Sequence, residues 1–123
     1  MVVPYERVET PHDGRGVKLF KWSNLGVTDG APDTGQPVVV AAYNDKTVQI
    51  QGSTFGSGIT IQGNCDPSGN ASWDTLNDPQ GNPLLTIQSE KLENILEHCY
   101  LVRPVATIGT SGITVWLLLA SVS

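Results

Sequence analysis

The sequence predicts an all-β fold, an antiparallel β-sandwich or jelly-roll-like barrel of about eight strands with one short helix and an extended N-terminal arm. The chain has 123 residues, enough for a single domain with one hydrophobic core. Glycine (13) and proline (8) are abundant, and charged residues make up only 15%. This composition is typical of strands joined by turns. Short apolar segments recur about 8 to 15 residues apart between polar turns, which also indicates strands.

The first 16 residues differ in pattern from the rest of the chain. They are polar, contain two prolines and two glycines, and follow neither the period of a strand nor that of a helix. Such a segment cannot be ordered by a core of its own. We therefore predict an extended arm over residues 1–16, either disordered or ordered by another chain, and a single domain over 17–123.

The first half of the domain is predicted to contain a strand at 17–22, a long loop at 24–36 and an apolar segment of the buried type at 37–42. Two strands in which polar and apolar residues alternate are predicted at 46–51 and 58–62. In the segment 46–51, Val48 and Ile50 are expected to face the core, and Lys46 is assigned to the outward side with the glutamines. Ile59 and Ile61 are expected to point inward in the next strand.

The second half is predicted to contain strands at 72–76 and 84–88, the helix at 89–96, and two last strands at 99–105 and 113–119. Turns at 66–70 and 78–81 combine proline, glycine and Asp or Asn, and they separate the strands. The helix is predicted because Ser89 can cap it and because Leu92, Ile95 and Leu96 have helical spacing. Pro104 cannot donate to a ladder, so its strand is expected to lie at an edge or to end there.

The last strand is apolar on both faces. One face carries four aliphatic residues, and the other carries Trp116 and Leu118. A strand of this kind is covered on both sides, by a neighbouring subunit or by the helix or a loop of the same chain. Trp116 and Leu118 are therefore the candidate subunit-interface residues, whereas Trp73 is expected to anchor the core.

The charge pattern disfavours nucleic-acid and membrane partners. The net charge is −5, and the seven Lys and Arg residues are scattered singly. Binding to phosphates requires clustered cations. The longest apolar run, 115–120, is far shorter than a membrane span, and the N-terminus lacks the features of a signal peptide. We expect a protein made in a cytosol.

No residue pattern predicts catalysis, a cofactor or a metal site. His98 and Cys99 are adjacent, so in a strand they point to opposite faces and are poorly placed for a hydrogen-bonded dyad. Their spacing from Cys65 does not match that of zinc ligands. The acidic turn residues are better explained by turn chemistry than by calcium binding. Cys65 and Cys99 could form one disulfide, but in a reducing compartment two free thiols are expected.

Six segments together resemble the small head decoration (cement) proteins of tailed bacteriophages: 46–52, 59–64, 72–76, 78–84, 100–104 and 115–118. The resemblance covers roughly residues 17–120. It implies a jelly-roll or β-sandwich subunit, commonly trimeric, that is made in the host cytoplasm and binds the major capsid protein on the outer surface of the virion. It brings no catalytic residues.

Under this resemblance, the arm would reach onto the capsid, with Pro4, Tyr5, Arg7 and Arg15 as candidate contacts. The alternative is a discoidin-like carbohydrate-binding module on a phage particle or tail, because the Trp-containing strand–turn–strand and the late Tyr-Leu-Val-Arg strand are similar to such modules. The chain departs from them by the insertion of Val102 before Arg103.

Overall fold

The computed structural model describes residues 1–9 and 16–121. These residues form short and long strands in two main sheets and one small two-stranded sheet. The strands are β1 Val2–Val3, β2 Glu6–Val8, β3 Val17–Leu25, β4 Val27–Thr28, β5 Ala31–Pro32, β6 Thr34–Gly35, β7 Val38–Val39, β8 Asp45–Gln51, β9 Ile59–Asn64, β10 Asp74–Thr75, β11 Lys91–Asn94, β12 Leu101–Ala106 and β13 Ile113–Ala120. The predicted all-β class is confirmed. None of the described residues belongs to a helix with the length and hydropathy needed to cross a lipid bilayer.

The five-stranded sheet has the order β11-β8-β13-β3-β2, and all of its pairings are antiparallel. The central strand β13 shows the strict alternation that the sequence predicts. Its inward side chains, which are completely buried, are Ile113, Val115, Leu117 and Leu119. This sheet therefore contributes a continuous aliphatic row to the core.

The six-stranded sheet has the order β1-β6-β12-β9-β10, and β7 also pairs with β12. Pro104 lies inside β12, which is paired on both sides, so the expectation of an edge strand or a strand end is wrong. The residue is tolerated because, on one side of β12, the pairing strand changes there from β7, opposite Val102, to β6, opposite Val105. The proline ring faces Gly35, where an added Cβ would come within 2.5 Å of Pro104 Cδ.

The two sheets share one hydrophobic core, formed by inward residues of β3, β8 and β13 on one side and of β9 and β12 on the other. Ile59 and Ile61 are buried as predicted. Lys46 is also buried, with only 1% of its surface exposed, so its outward assignment is wrong. The period of two places it on the same face as Val48 and Ile50, and that periodicity outweighs the preference of a charged residue for solvent.

The first nine residues do not form an arm, and the prediction is wrong for them. Strand β1 pairs in parallel with β6, and β2 pairs with β3, so the segment joins both sheets. Thr34 N donates to Met1 O (2.9 Å) and Gln36 N to Val3 O (2.8 Å), while Val3 packs into the core. The segment is ordered because its own domain offers sheet edges to pair with. Residues 10–15 lie outside the described part of the chain.

The predicted helix over 89–96 is also wrong, because residues 91–94 form strand β11 on the edge of β8. Ile95 N continues the pairing by donating to Lys46 O at 2.9 Å. The apolar residues do not share a face, since Ile95 is buried while Leu92 and Leu96 are 64% and 52% exposed. A two-turn segment gains little as an isolated helix, whereas an open sheet edge satisfies its backbone groups.

Candidate interaction surface on the five-stranded sheet

The outer face of the five-stranded sheet carries the two predicted interface residues. On β13 they alternate with the buried aliphatic row, so Trp116 and Leu118 point away from the core. The antiparallel register places polar and apolar side chains beside them on the neighbouring strands. The cross-strand neighbours on β3 and β8 are Lys21 and Gln49 for Trp116, and Leu19 and Thr47 for Leu118.

Six side chains from four strands line a shallow groove of about 200 Å³ on this face, which we term the Trp116 face: Leu19, Thr47, Gln49, Leu92, Trp116 and Leu118. Leu118 is 40% exposed and Leu92 is 64% exposed. A single exposed leucine is ordinary, but a contiguous group of apolar side chains rimmed by polar residues is typical of an interaction surface.

The charges on this side of the sheet lie at the border of the groove. Lys21 Nζ is 5.0 Å from the centroid of the Trp116 ring and 3.8 Å from Glu6 Oε2. The two opposite charges therefore balance each other, and no residue that lines the groove is ionisable. The Trp116 face is a locally neutral surface on a chain of net charge −5.

The candidate capsid contacts near the N-terminus lie on the domain itself. Tyr5 packs edge-on against Phe20, with ring centroids 5.2 Å apart, and the Arg7 guanidinium lies 5.9 Å from the same ring. Pro4 and Arg7 are exposed. Arg15 falls outside the described residues. The structure brings Tyr5 and Arg7 together, away from the groove lining.

A second aromatic–cation cluster, on the six-stranded sheet, has no counterpart in the sequence-based predictions. Trp73 is half-buried and does not belong to the core cluster, so the prediction of a core anchor is wrong. The Arg103 guanidinium lies 4.0 Å from the centroid of its ring and donates from Nε and Nη2 to Gln62 Oε1 at 3.0 and 2.9 Å. Burial lowers the pKa of Arg103. The alternation along β12 predicts that Arg103 points outward, but it does not predict that Trp73 and Gln62 are its partners.

The potentially reactive side chains are gathered at the end of the six-stranded sheet, around a cavity of about 480 Å³ whose lining includes Cys65, Glu97, His98 and Cys99. Burial raises the pKa of the Cys99 thiol. Burial by itself would also raise the pKa of Glu97, but hydrogen bonds from Asn77 outweigh it and lower the value. In residues 1–9 and 16–121, no three His, Cys, Asp or Glu side chains are grouped so as to hold a metal ion.

The acidic loop residues form hydrogen bonds of the kind expected in turns. The Asp66 carboxylate accepts from Ser68 N (3.0 Å), from the Ser68 hydroxyl (2.8 Å) and from Ala71 N (3.1 Å), and these bonds lower its pKa, that from Ser68 N most of all. Asp33 Oδ2 accepts from Gly26 N at 3.1 Å. Turn chemistry thus accounts for Asp66, whereas Asp33 Oδ1 is buried with no hydrogen-bond partner among the described residues and lies 3.8 Å from the N-terminal ammonium of Met1.

No family model matches this sequence, and no curated protein is significantly similar to it.

Proposed function

We propose that this chain is a virion structural protein, a β-sandwich decoration subunit that binds the outside of a tailed-phage head as a homotrimer. The observation that carries the proposal is the Trp116 face, an exposed apolar groove on an otherwise well-packed sheet. A second copy of the chain is its proposed occupant. Decoration requires many modest contacts multiplied over a symmetric shell, and it needs no reactive group.

Charge supports a second copy as the occupant. Each chain has a net charge of −5, so two copies repel each other over most of their surfaces. The groove has no ionisable lining residue. At its border, Lys21 is paired with Glu6, and the Asp45 carboxylate accepts a hydrogen bond from Asn94 Nδ2 at 3.0 Å. Contact through this face therefore buries apolar area without placing like charges against each other.

The major capsid protein is the second proposed partner. Arg7 lies in the edge strand β2, and Pro4 and Tyr5 lie just before it. Pro4 and Arg7 are exposed and Tyr5 is half-buried, and these three are the proposed contacts within the described residues. They would act as part of a rigid sheet edge instead of a flexible arm, because β1 and β2 are paired. Arg15 remains a proposed contact on sequence grounds alone.

Sedimentation velocity over a range of protein concentrations tests the self-contact. The wild type is expected to sediment as a trimer, and Leu118→Asp as a monomer with an unchanged far-ultraviolet circular dichroism spectrum, because a buried unpaired carboxylate is costly in the interface. Ile108→Asp is the matched control. Ile108 is 76% exposed and lies outside the groove, so this variant should remain trimeric. A monomeric wild type contradicts the proposed contact.

Co-sedimentation with phage heads tests the role in the virion. The protein should pellet with expanded heads stripped of their decoration protein, but not with precursor heads. Arg7→Glu is expected to weaken pelleting while leaving the trimer intact. A trimer that fails to pellet with any stripped head would retain the self-contact and exclude the capsid role.

A carbohydrate-binding module is the second candidate function, favoured by the placement of Trp116 beside the polar side chains of Thr47 and Gln49. An aromatic ring flanked by hydrogen-bonding groups is suited to stack on a sugar. A glycan array probed with wild type and Trp116→Ala separates the two functions, since only the carbohydrate function predicts binding that this substitution abolishes.

A further inference from the structure

Two cysteines that are 34 positions apart in the sequence lie next to each other at the end of the six-stranded sheet. Cys65 follows the last residue of β9, and Cys99 lies two residues before β12. The strand register pairs Asn64 with Leu101, and Tyr100 N also donates to Asn64 O at 3.0 Å, so two consecutive residues of one chain lie opposite Asn64, as in a β-bulge. Cys65 and Cys99 are the next residues on the two chains beyond this bulge, where the regular pairing has ended. Both residues also line the same two hollows, of about 480 and 250 Å³.

The position of the two cysteines suits a cross-link. A disulfide requires Cα atoms about 4.4 to 6.8 Å apart, and neighbouring antiparallel chains, such as those that lead into β12 and out of β9, lie at about that separation. Cys99 Sγ already lies against the backbone of β9, because a Cβ added to Gly63 would be 3.0 Å from it. The missing side chain of Gly63 leaves the space that this sulfur occupies.

We propose that Cys65 and Cys99 are the two halves of a reversible intramolecular disulfide that joins the end of β9 to the start of β12. In the structure both are thiols, Cys65 exposed and Cys99 half-buried. The inference is independent of the proposed function. Its consequence is a covalent closure of the chain around the intervening segment, which carries β10 and β11.

A small-molecule disulfide such as oxidised glutathione is the oxidant. The Cys65 thiolate attacks one sulfur of glutathione disulfide, which forms a Cys65–glutathione bond and releases one glutathione thiolate. The Cys99 thiolate then attacks Cys65 Sγ, which forms the protein disulfide and releases the second glutathione. The protein loses two protons and two electrons, and one glutathione disulfide becomes two glutathione thiols.

The exposure of the two thiols sets the order of these steps. Cys65 is accessible to a dissolved oxidant, whereas Cys99 is half-buried and its pKa is raised by burial. The fraction of Cys99 thiolate is therefore small at neutral pH and grows as the pH rises towards that pKa. The rate at which the protein disulfide forms should rise with pH, and the mixed disulfide on Cys65 should be the intermediate that accumulates at lower pH.

Intact-mass spectrometry of the wild type in glutathione redox buffers tests the proposal without any substitution. The expected end product has lost two hydrogens and carries no glutathione, and a non-reducing digest links the peptides of Cys65 and Cys99. The melting temperature of the oxidised form should exceed that of the reduced form by about 5 to 10 °C.

Cys65→Ser and Cys99→Ser are the matched controls. Each keeps one thiol and should end as a glutathione adduct or remain reduced, with no redox-dependent shift of the melting temperature beyond the effect of that adduct. A wild type that stops at the mixed disulfide at every pH, or that forms only disulfide-linked dimers, overturns the proposal.

Discussion

The outer faces of the two main sheets each carry a tryptophan beside a cation, and the two pairs differ in how far their hydrogen-bonding groups are satisfied within the chain. On the six-stranded sheet, Arg103 lies 4.0 Å from the Trp73 ring and is held by Gln62, while Trp73 Nε1 donates to Gly69 O at 3.2 Å. On the five-stranded sheet, Lys21 lies 5.0 Å from the Trp116 ring. The Trp116 indole N–H donates to no group among the described residues.

A tryptophan beside a cation is therefore satisfied within the chain on one sheet and left open on the other. The Trp73 pair satisfies its polar groups internally and fastens the loop after β9 onto the sheet. The Trp116 pair leaves its polar group and a neighbouring apolar groove open, which suits a residue that meets another molecule. The first pair should therefore contribute to the stability of the isolated chain, and the second mainly to association.

The largest effect is expected from adjacent residues on opposite faces of β13. Leu117 is completely buried and Leu118 is 40% exposed. Leu117→Ala should lower the free energy of unfolding by about 3 kcal/mol, because it leaves a cavity in the core, and Leu118→Ala by less than about 1 kcal/mol for the dissociated chain. Urea unfolding at a concentration where the wild type is monomeric measures both. Equal losses would mean that the Trp116 face is internal to the subunit.

An intermediate effect is expected for the pair of Arg103 and Trp73. A double-mutant cycle with Arg103→Met and Trp73→Leu should give a coupling energy of about 1 to 2 kcal/mol, since the guanidinium is partly desolvated over the ring. Gln62→Leu should also destabilise the chain, because Arg103 then loses the acceptor of two hydrogen bonds. A coupling near zero would remove the distinction between the two faces.

The smallest effect is expected for the pair of Lys21 and Trp116. The same cycle with Lys21→Met and Trp116→Leu should give a coupling of about 0.5 kcal/mol in the monomer, since Lys21 is farther from the ring and pairs with a Glu6 side chain that is 60% exposed. Raising the salt concentration should reduce it further. If this coupling exceeds that of Arg103 and Trp73, the comparison is reversed.

Sequence periodicity predicted the parts of the fold in which one face is strictly apolar. The strands predicted at 17–22, 46–51, 58–62 and 113–119 correspond to β3, β8, β9 and β13. The alternation on β13 also placed Trp116 and Leu118 on the side opposite the core. It could not have predicted Leu19 and Leu92 as their neighbours, because register joins strands that are far apart in sequence.

The wrong predictions share a physical cause. Residues 1–9 and 89–96 have weak local preferences, so the available sheet edges decided their conformation. Lys46 followed the pleat into the interior, and Trp73 left the core because Arg103 offered a partner on the outer face. In each case a constraint of the sheet, either pairing with a distant segment or the alternation along a strand, outweighed the intrinsic tendency of the residue.

The amino-acid sequence alone determined the strand-rich class, the positions of the main turns and the two-sided character of the last strand, because these depend on composition and on a period of two. Only the tertiary structure decided that the N-terminal residues join both sheets, that the Trp116 face is open and neutral, and that Cys65 and Cys99 line the same cavity. These features arise from pairing between segments dozens of residues apart, and local sequence patterns carry no information about which edges will meet.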